Sequence, residues 1–355
     1  MASIFGNKLK ISIFGQSHSE AIGVVIDGLP AGFEPDMEKL RAFCARRSAV
    51  GKKGVTMRKE ADEAKIVSGL FNGKTCGAPL CAIIGNTDVR SSDYDKMKTT
   101  PRPSHADYCA AVKYGGFADY RGGGHFSGRL TAPLVFAGGL CVQLLASRGI
   151  RVGGRVKSIG NAYDRYIDPA EVDGEILDEI EAHEFPTLGD GEKMQKEIES
   201  ARLAADSVGG QVECFILGLP CGVGEPMFDG LESRISAAVF AVPAVKGIEF
   251  GEGFALTGIR GSEANDEFYM DGDAVRTRTN SNGGILGGIS TGMPVVFSAA
   301  FKPTPSIGLP QKSVDLETMC DTDLQIRGRH DPCVVVRALP CVESAAAIAV
   351  CDMIL

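Results

Sequence analysis

The sequence predicts a mixed α and β fold organised around an internal repeat. Short strand-like runs alternate with helical patterns and glycine-rich loops along the chain, and one strand-turn-helix signature occurs twice. VVIDGLPAGFEPDMEKL (24–40) and CFILGLPCGVGEPMFDGLESRI (214–235) each pass from an apolar run through Gly-Leu-Pro-x-Gly to a proline with acidic residues and a helical pattern. Two related units of this kind would face each other and intertwine the two halves.

The elements follow in order. Lys10 to Phe14 reads as a strand, and the repeat's first strand and helix come next, the helix trailing into Arg46 and Arg47. Pro79 to Ile84 is a short apolar run bounded by turn residues, hence a third strand signal. Ser104 is an expected N-cap for a helix from His105 to about Tyr114. An apolar helix after Arg129 is expected to end at Gly149. The stretch 163–193 is acidic and irregular and reads as a surface excursion, and Pro294 to Ala300 is a further strand.

Composition bounds the class. At 355 residues, the length fits one large domain or two ordinary ones, and composition does not choose. A net charge of −8 argues against a general nucleic-acid binder, so an anionic ligand must be held by a local cluster of cations. The N-terminal segment shows no secretory pattern. The longest apolar run, Leu130 to Ala146, is interrupted by Thr131, Pro133, paired glycines and Gln143, which argues against a membrane span. Eleven cysteines without zinc-ligand spacing read as reduced thiols of a cytoplasmic protein with no metal site.

Four of the five histidines sit in GQSHSE (15–20), RPSHADY (102–108), RGGGHFSGR (121–129) and RGRHDPC (327–333), and only His183 lies in the excursion. Glycine loops let backbone N–H groups approach a ligand, and arginine offers a permanently charged fork for phosphate or carboxylate. Arg46, Arg47, Lys52, Lys53, Arg102, Arg121, Arg129, Arg327, Arg329 and Arg337 lie near the same blocks, which suggests a pocket for a small, multiply charged anion. Nucleotide motifs are absent: GLFNGKT (69–75) is one residue short of P-loop spacing, and RGGGHFSG lacks the last glycine of the dinucleotide fingerprint. The triple-glycine segment is therefore expected to bring backbone amides, Arg121, His125, Ser127 and Arg129 to an anion.

Taken together, FGQSHSEAIGVVIDGLPAG, NTDVRSSDY, RPSHADY, KYGGFADYRGGGHFSGR, GEPMFDGLESRISAAVFAVPAVKGIEFG, NGGILGGISTG, FKPTPSI and RGRHDPCVVVRALP resemble the chorismate synthase family over nearly the whole chain. The resemblance implies an enzyme that converts 5-enolpyruvylshikimate 3-phosphate to chorismate and phosphate by anti-1,4-elimination, with reduced FMN as cofactor. It also implies a four-layer α/β/β/α sandwich in one domain over 1–355, assembled as a homotetramer. An external flavin reductase is the expected partner where the chain does not reduce its own flavin. In the family's chemistry the reduced flavin lends an electron and recovers it, so no net redox change occurs.

Carried over by position, His18 resembles the histidine that protonates the departing phosphate, and His105 the one beside the flavin ring. Asp331 resembles the carboxylate that helps remove the flavin proton, and Ser17 and Ser127 the serines that relay protons. Arg47, Lys53 and Arg129 fall at substrate-binding positions. His125, Phe126, Ser127, Ala244, Gly287, Lys302, Pro303, Thr304, Pro305, Ser306 and Arg329 fall at FMN-binding positions. Three departures stand out: Gln16 and Ser19 flank the Ser17-His18 pair, His125-Phe126-Ser127 replaces the usual Arg-Ser-Ser, and Lys53 replaces an arginine. A ligand-sensing relative and an unrelated flavoenzyme are the alternatives. The intact histidines, Asp331 and Ser127 speak against the first, and the missing dinucleotide fingerprint against the second.

Overall fold

The computed structural model describes residues 3–48, 62–86, 97–189, 191–326 and 331–355. Two five-stranded antiparallel sheets organise them. The first contains β1 (Ile4–Phe5), β2 (Lys10–Gly15), β3 (Ala21–Asp27), β4 (Ala64–Ser68) and β5 (Leu80–Gly85), in the order β1-β2-β3-β5-β4. The second contains β6 (Arg151–Ile159), β7 (Ala162–Tyr163), β8 (Gly210–Leu217), β9 (Val245–Phe250) and β10 (Val295–Phe301), in the order β9-β10-β8-β6-β7. The strands read from the sequence near residues 10, 80 and 295 coincide with β2, β5 and β10 to within a residue.

Seven helices of seven or more residues accompany the sheets among the described residues: α1 (Met37–Arg47), α2 (Asp107–Lys113), α3 (Thr131–Ala146), α4 (Gly174–Ala182), α5 (Glu192–Leu203), α6 (Leu231–Val239) and α7 (Val335–Ile354). The series β2-β3-α1-β4-β5-α3 recurs as β6-β8-α6-β9-β10-α7, with α2 added between β5 and α3 and with β7, α4 and α5 inserted after β6. The repeat reaches atomic detail at its two Gly-Leu-Pro turns. Gly28 and Gly218 both take left-handed φ angles, +94° and +73°. A Cβ on either would strike a carbonyl oxygen two residues before the neighbouring strand, 2.1 Å from Lys8 O or 2.3 Å from Gly149 O. Only glycine fits either turn.

The α+β class and the repeat stand as expected, but the layer order differs: the central helices α3 and α7 lie between the two sheets. α3 packs on β3 and β5 of the first sheet and on β6 of the second, while α7 packs on α3, β6 and β8. The reason is composition. Thirteen of the 16 residues of α3 and 16 of the 20 of α7 are buried, and a helix apolar on all sides must be covered on all sides. Gly138 lets the pair approach closely, since a Cβ there would lie 2.1 Å from Ser344 Cβ. The stretch 128–146 is long and apolar enough to cross a membrane, yet 78% of its apolar window is buried inside the protein.

Two local expectations shift. α2 begins at Asp107 rather than His105, because Ser104 sits at φ +59° and the Asp107 carboxylate folds back onto the Arg102 N–H. α3 does end near Gly149, where φ is +77° and Ile150 N–H reaches back to Leu145 O at 3.0 Å. The acidic excursion is less irregular than it reads. It carries α4, capped by Asp173, and lays Ile167, Val172, Leu177, Ile180 and Leu188 over Phe215 and Val296 on the outer face of the second sheet.

Candidate active site

The two long central helices begin at the same place. Thr131 at the start of α3 and Val334 just before α7 both line a cavity of about 1090 Å³. Helix N-termini carry unpaired N–H groups and partial positive charge, so two of them bias the cavity toward anions before any side chain is counted. The same cavity is lined by His18, Arg47, Arg102, His105, His125, Phe126, Ser127, Arg129, Ala244, Lys302, Thr304, Pro305, Ser306, Asp331 and Arg337.

The triple glycine joins the two histidines. Gly122, Gly123 and Gly124 take φ of +59°, +83° and +55°, and Gly124 O accepts the Ser17 N–H at 3.0 Å. A Cβ on Gly122 would lie 2.4 Å from His18 Cε1 and 2.5 Å from Ser17 Oγ, and one on Gly123 would lie 2.9 Å from His105 Cε1. Glycine here permits both the backbone path and direct contact between the strap and each ring. Ser17 is itself buried beside His18, although it does not line the cavity.

The cations are organised by a carboxylate that sequence reading did not find. Asp62 pairs with both Arg47 and Arg129, and all three side chains are almost fully buried. Arg47 also donates to Thr131 Oγ1 at 2.7 Å and Gly128 O at 3.2 Å, and Arg129 Nε donates to Asn86 Oδ1 at 3.1 Å. Ser127 caps the turn before α3 by accepting the Arg129 N–H at 3.3 Å. Next to this cluster, Arg337 donates to Asp331 Oδ2 at 2.5 Å and to Arg47 O at 2.9 Å, tying α7 to the end of α1.

From the Lys302–Ser306 strap, Lys302, Thr304, Pro305 and Ser306 line the cavity. Lys302 Nζ donates to Ser104 O at 2.5 Å, Thr304 Oγ1 to Asp331 O at 2.8 Å, and Arg102 Nη1 to Ser306 Oγ at 3.4 Å. Burial, reinforced by the neighbouring charge of Lys246, lowers the pKa of Lys302. No carboxylate among the described residues pairs with either lysine. An anionic group bound there would relieve their repulsion. Ser104 and Ala244, both lining the cavity, hold positive φ without being glycine, the kind of backbone strain that concentrates at functional sites.

Below these contacts, His105 Nδ1 lies 2.6 Å from Asp107 Oδ1. Arg102 donates to the same carboxylate through Nε at 2.7 Å, Nη2 at 2.8 Å and its backbone N–H at 3.0 Å. Burial would raise the Asp107 pKa, but the bonds from Arg102 and His105 outweigh it and hold the carboxyl well below its usual range.

Several expected site residues lie elsewhere. Arg121 folds back onto Asp119 at 2.8 and 2.9 Å and does not line the cavity. Gly287 sits in a tight turn between Ile285–Leu286 and Ile289–Ser290, outside the cavity, and Pro303 packs toward Gly209. His125 reaches the cavity wall, but its ring is used as a tie. Nδ1 donates to Gly15 O at 2.8 Å, which leaves Nε2 to accept the Ser3 hydroxyl at 2.8 Å. Lys53 and Arg329 lie outside the described residues. No group of three or more potential metal ligands occurs among the described residues.

Fold and site together define an α+β enzyme whose cavity brings arginines, histidines and carboxylates together. A family model described as chorismate synthase matches residues 9–355. Chorismate synthases of Thermococcus kodakarensis and Dehalococcoides mccartyi are 49% and 44% identical over 99% and 100% of this chain and 97% of their own lengths. A solved chorismate synthase structure superposes with a TM-score of 0.77 at 27% identity, covering 98% of this chain and 92% of the other. The chain belongs to the chorismate synthase family, and so to the lyases of the shikimate pathway and aromatic amino acid biosynthesis.

Proposed function

We propose that this chain releases phosphate from 5-enolpyruvylshikimate 3-phosphate by anti-1,4-elimination to give chorismate, with reduced FMN bound in the same cavity. The observation that carries the reading is the glycine strap, which holds His18 and His105 at adjacent points of one anion-biased cavity. The cavity's volume would accommodate substrate and flavin together, and Lys302 and Lys246 would hold the cofactor's phosphate. When bound, reduced FMN supplies an electron that is lent and returned, which a protein side chain cannot do for an unactivated ring C–H.

The chain's own residues do the rest. Arg47 and Arg129, pre-aligned by Asp62, bind the substrate's anionic groups. His18 gives a proton to the departing phosphate, with Ser17 beside it. His105, Asp331 and Ser127 manage protons on the cofactor side, and the Lys302–Ser306 strap with Phe126 and Ala244 encloses the ligands and excludes water. Lys53, by its position in the sequence, is assigned to the substrate and Arg329 to the cofactor. The chain acts in the cytoplasm as a homotetramer and takes reduced flavin from an external reductase or reduces it itself.

Turnover measured anaerobically tests the reading. Reduced FMN supports many chorismate molecules per flavin and ends reduced, whereas oxidised FMN without reductant supports none. Chorismate formed with oxidised FMN alone, or one flavin oxidised per product, overturns it.

A further inference from the structure

We propose that Asp107 is a positioning residue: with Arg102 it locks His105 into the tautomer whose single proton is on Nδ1, so that Nε2 is the atom that exchanges a proton with the cavity. The inference deepens the proposed function and rests on the proton-handling role given there to His105.

Three observations meet at this ring. Asp107 Oδ1 lies 2.6 Å from Nδ1, and the Asp107 side chain is 7% exposed. An ionised carboxylate has only lone pairs to offer, so at this distance Nδ1 must donate, and the neutral ring then has a bare Nε2. Arg102 keeps that carboxylate ionised and immobile by donating to both oxygens, at 2.7 Å through Nε and 2.8 Å through Nη2. Arg102 cannot substitute as a hydrogen-bond partner that chooses the tautomer. Its Nη2 is 3.0 Å from Nδ1 and 3.2 Å from Nε2, and because the two nitrogens' in-plane directions diverge, one atom cannot lie along both. Finally, a Cβ on Gly123 would lie 3.1 Å from Nε2, so glycine at that position keeps the approach to this nitrogen open.

Metal-bound histidines are oriented by the same device, in which a carboxylate on one nitrogen fixes the chemistry of the other. Here Nε2 accepts a proton from a group bound in the cavity, which is deprotonated as the imidazolium forms beside Asp107, and returns it from the same atom. Asp107 and Arg102 keep their protonation throughout.

The test combines nitrogen NMR with turnover on the full chain. In the wild type, ¹⁵N shifts and couplings of the neutral His105 ring are expected to show Nδ1–H. Asp107→Asn is expected to mix or reverse the tautomer and lower kcat by about 10–100-fold, while leaving the substrate KM within about twofold. Placed on His105→Gln, it is expected to cost nothing further, because residues acting through one group are not additive. An Nε2–H tautomer in the wild type overturns the proposal, as does full turnover of Asp107→Asn or an undiminished loss in the His105→Gln background. If Asp107→Asn does not fold, the wild-type tautomer decides by itself. Full turnover of His105→Gln removes the role of His105 and with it that of Asp107, whereas an Nε2–H tautomer removes only the role of Asp107.

Discussion

Gly122 and Gly123 touch different histidines, and this separates their expected effects. An alanine at either position must hold a left-handed φ, at about 1–2 kcal/mol, and must also push the ring it meets. Gly122→Ala displaces His18 and Ser17, and Gly123→Ala displaces His105. Each is expected to fold and to lose about 10²-fold in turnover, the scale of an ångström-sized misplacement. NMR of the imidazoles checks the assignment: Gly122→Ala shifts the His18 signals and Gly123→Ala those of His105, and the reverse pattern would contradict the contacts. Asp62 supplies a second residue-scale prediction. It is the shared counter-ion of Arg47 and Arg129, so Asp62→Asn leaves two buried guanidiniums without it and is expected to lower stability by about 3–5 kcal/mol. Inorganic phosphate is expected to restore part of that loss, raising the variant's melting temperature more than the wild type's, because an anion binding the folded state takes the carboxylate's place. Equal shifts in both proteins would show that the arginines do not face a bindable anion.

At the scale of elements, the insertion between β6 and β8 is fastened by a buried charge network. Arg155 bonds Glu213 through Nε at 2.7 Å and Asp164 through Nη1 at 3.0 Å, Lys157 pairs with Glu213 at 3.0 Å, and Asp164 accepts the N–H groups of Leu188 and Gly189. None of these residues lines the cavity. Glu213→Gln is therefore expected to cost about 3 kcal/mol in urea unfolding with kcat unchanged, and a parallel loss of kcat would couple the insertion to the site. The insertion also marks where the sequence stops being readable. Strands β2, β5 and β10 were legible because apolar runs between turn residues are local signals, and the repeat because its two left-handed glycines must be glycine. α4 was not, because its apolar face is recognisable only once Phe215 and Val296 are known to need covering. The layer order failed for the same reason: which sheet a helix covers is not written in the helix. Within the site, His18, His105 and Asp331 could be found from motifs, whereas Asp62 and Lys246 could not, since their partners are distant in sequence. Arg121 read as a ligand residue because its pairing with Asp119 is a matter of geometry, not composition.

Across the whole molecule, the two ends of the chain are joined by one carboxylate. Asp352, in the last turn of α7, accepts the backbone N–H groups of Asn7, Lys8 and Leu9 at 2.7, 2.7 and 2.9 Å through Oδ1, while Oδ2 pairs with Arg234 of α6. The first sheet, the central helices and the second half of the repeat thus meet at a single side chain. Burial would raise its pKa, but the three backbone donors and Arg234 outweigh burial and lower it. A carboxyl whose folded pKa is depressed stabilises the fold at every pH above its unfolded value of about 3.9, and loses that contribution as the pH falls through the folded value. Asp352→Asn keeps one acceptor oxygen but removes the charge, leaving Arg234 without this partner. At pH 7 it is expected to lower stability by about 2–4 kcal/mol. The gap between variant and wild type is expected to stay constant from neutral pH down to about pH 4–5 and to narrow below that, because the wild type then becomes protonated and resembles the variant. Urea unfolding of both proteins across this range measures the gap directly. A gap that closed near neutral pH would mean that the group being titrated is not this carboxylate, and a gap that widened in acid would reverse the sign of its contribution.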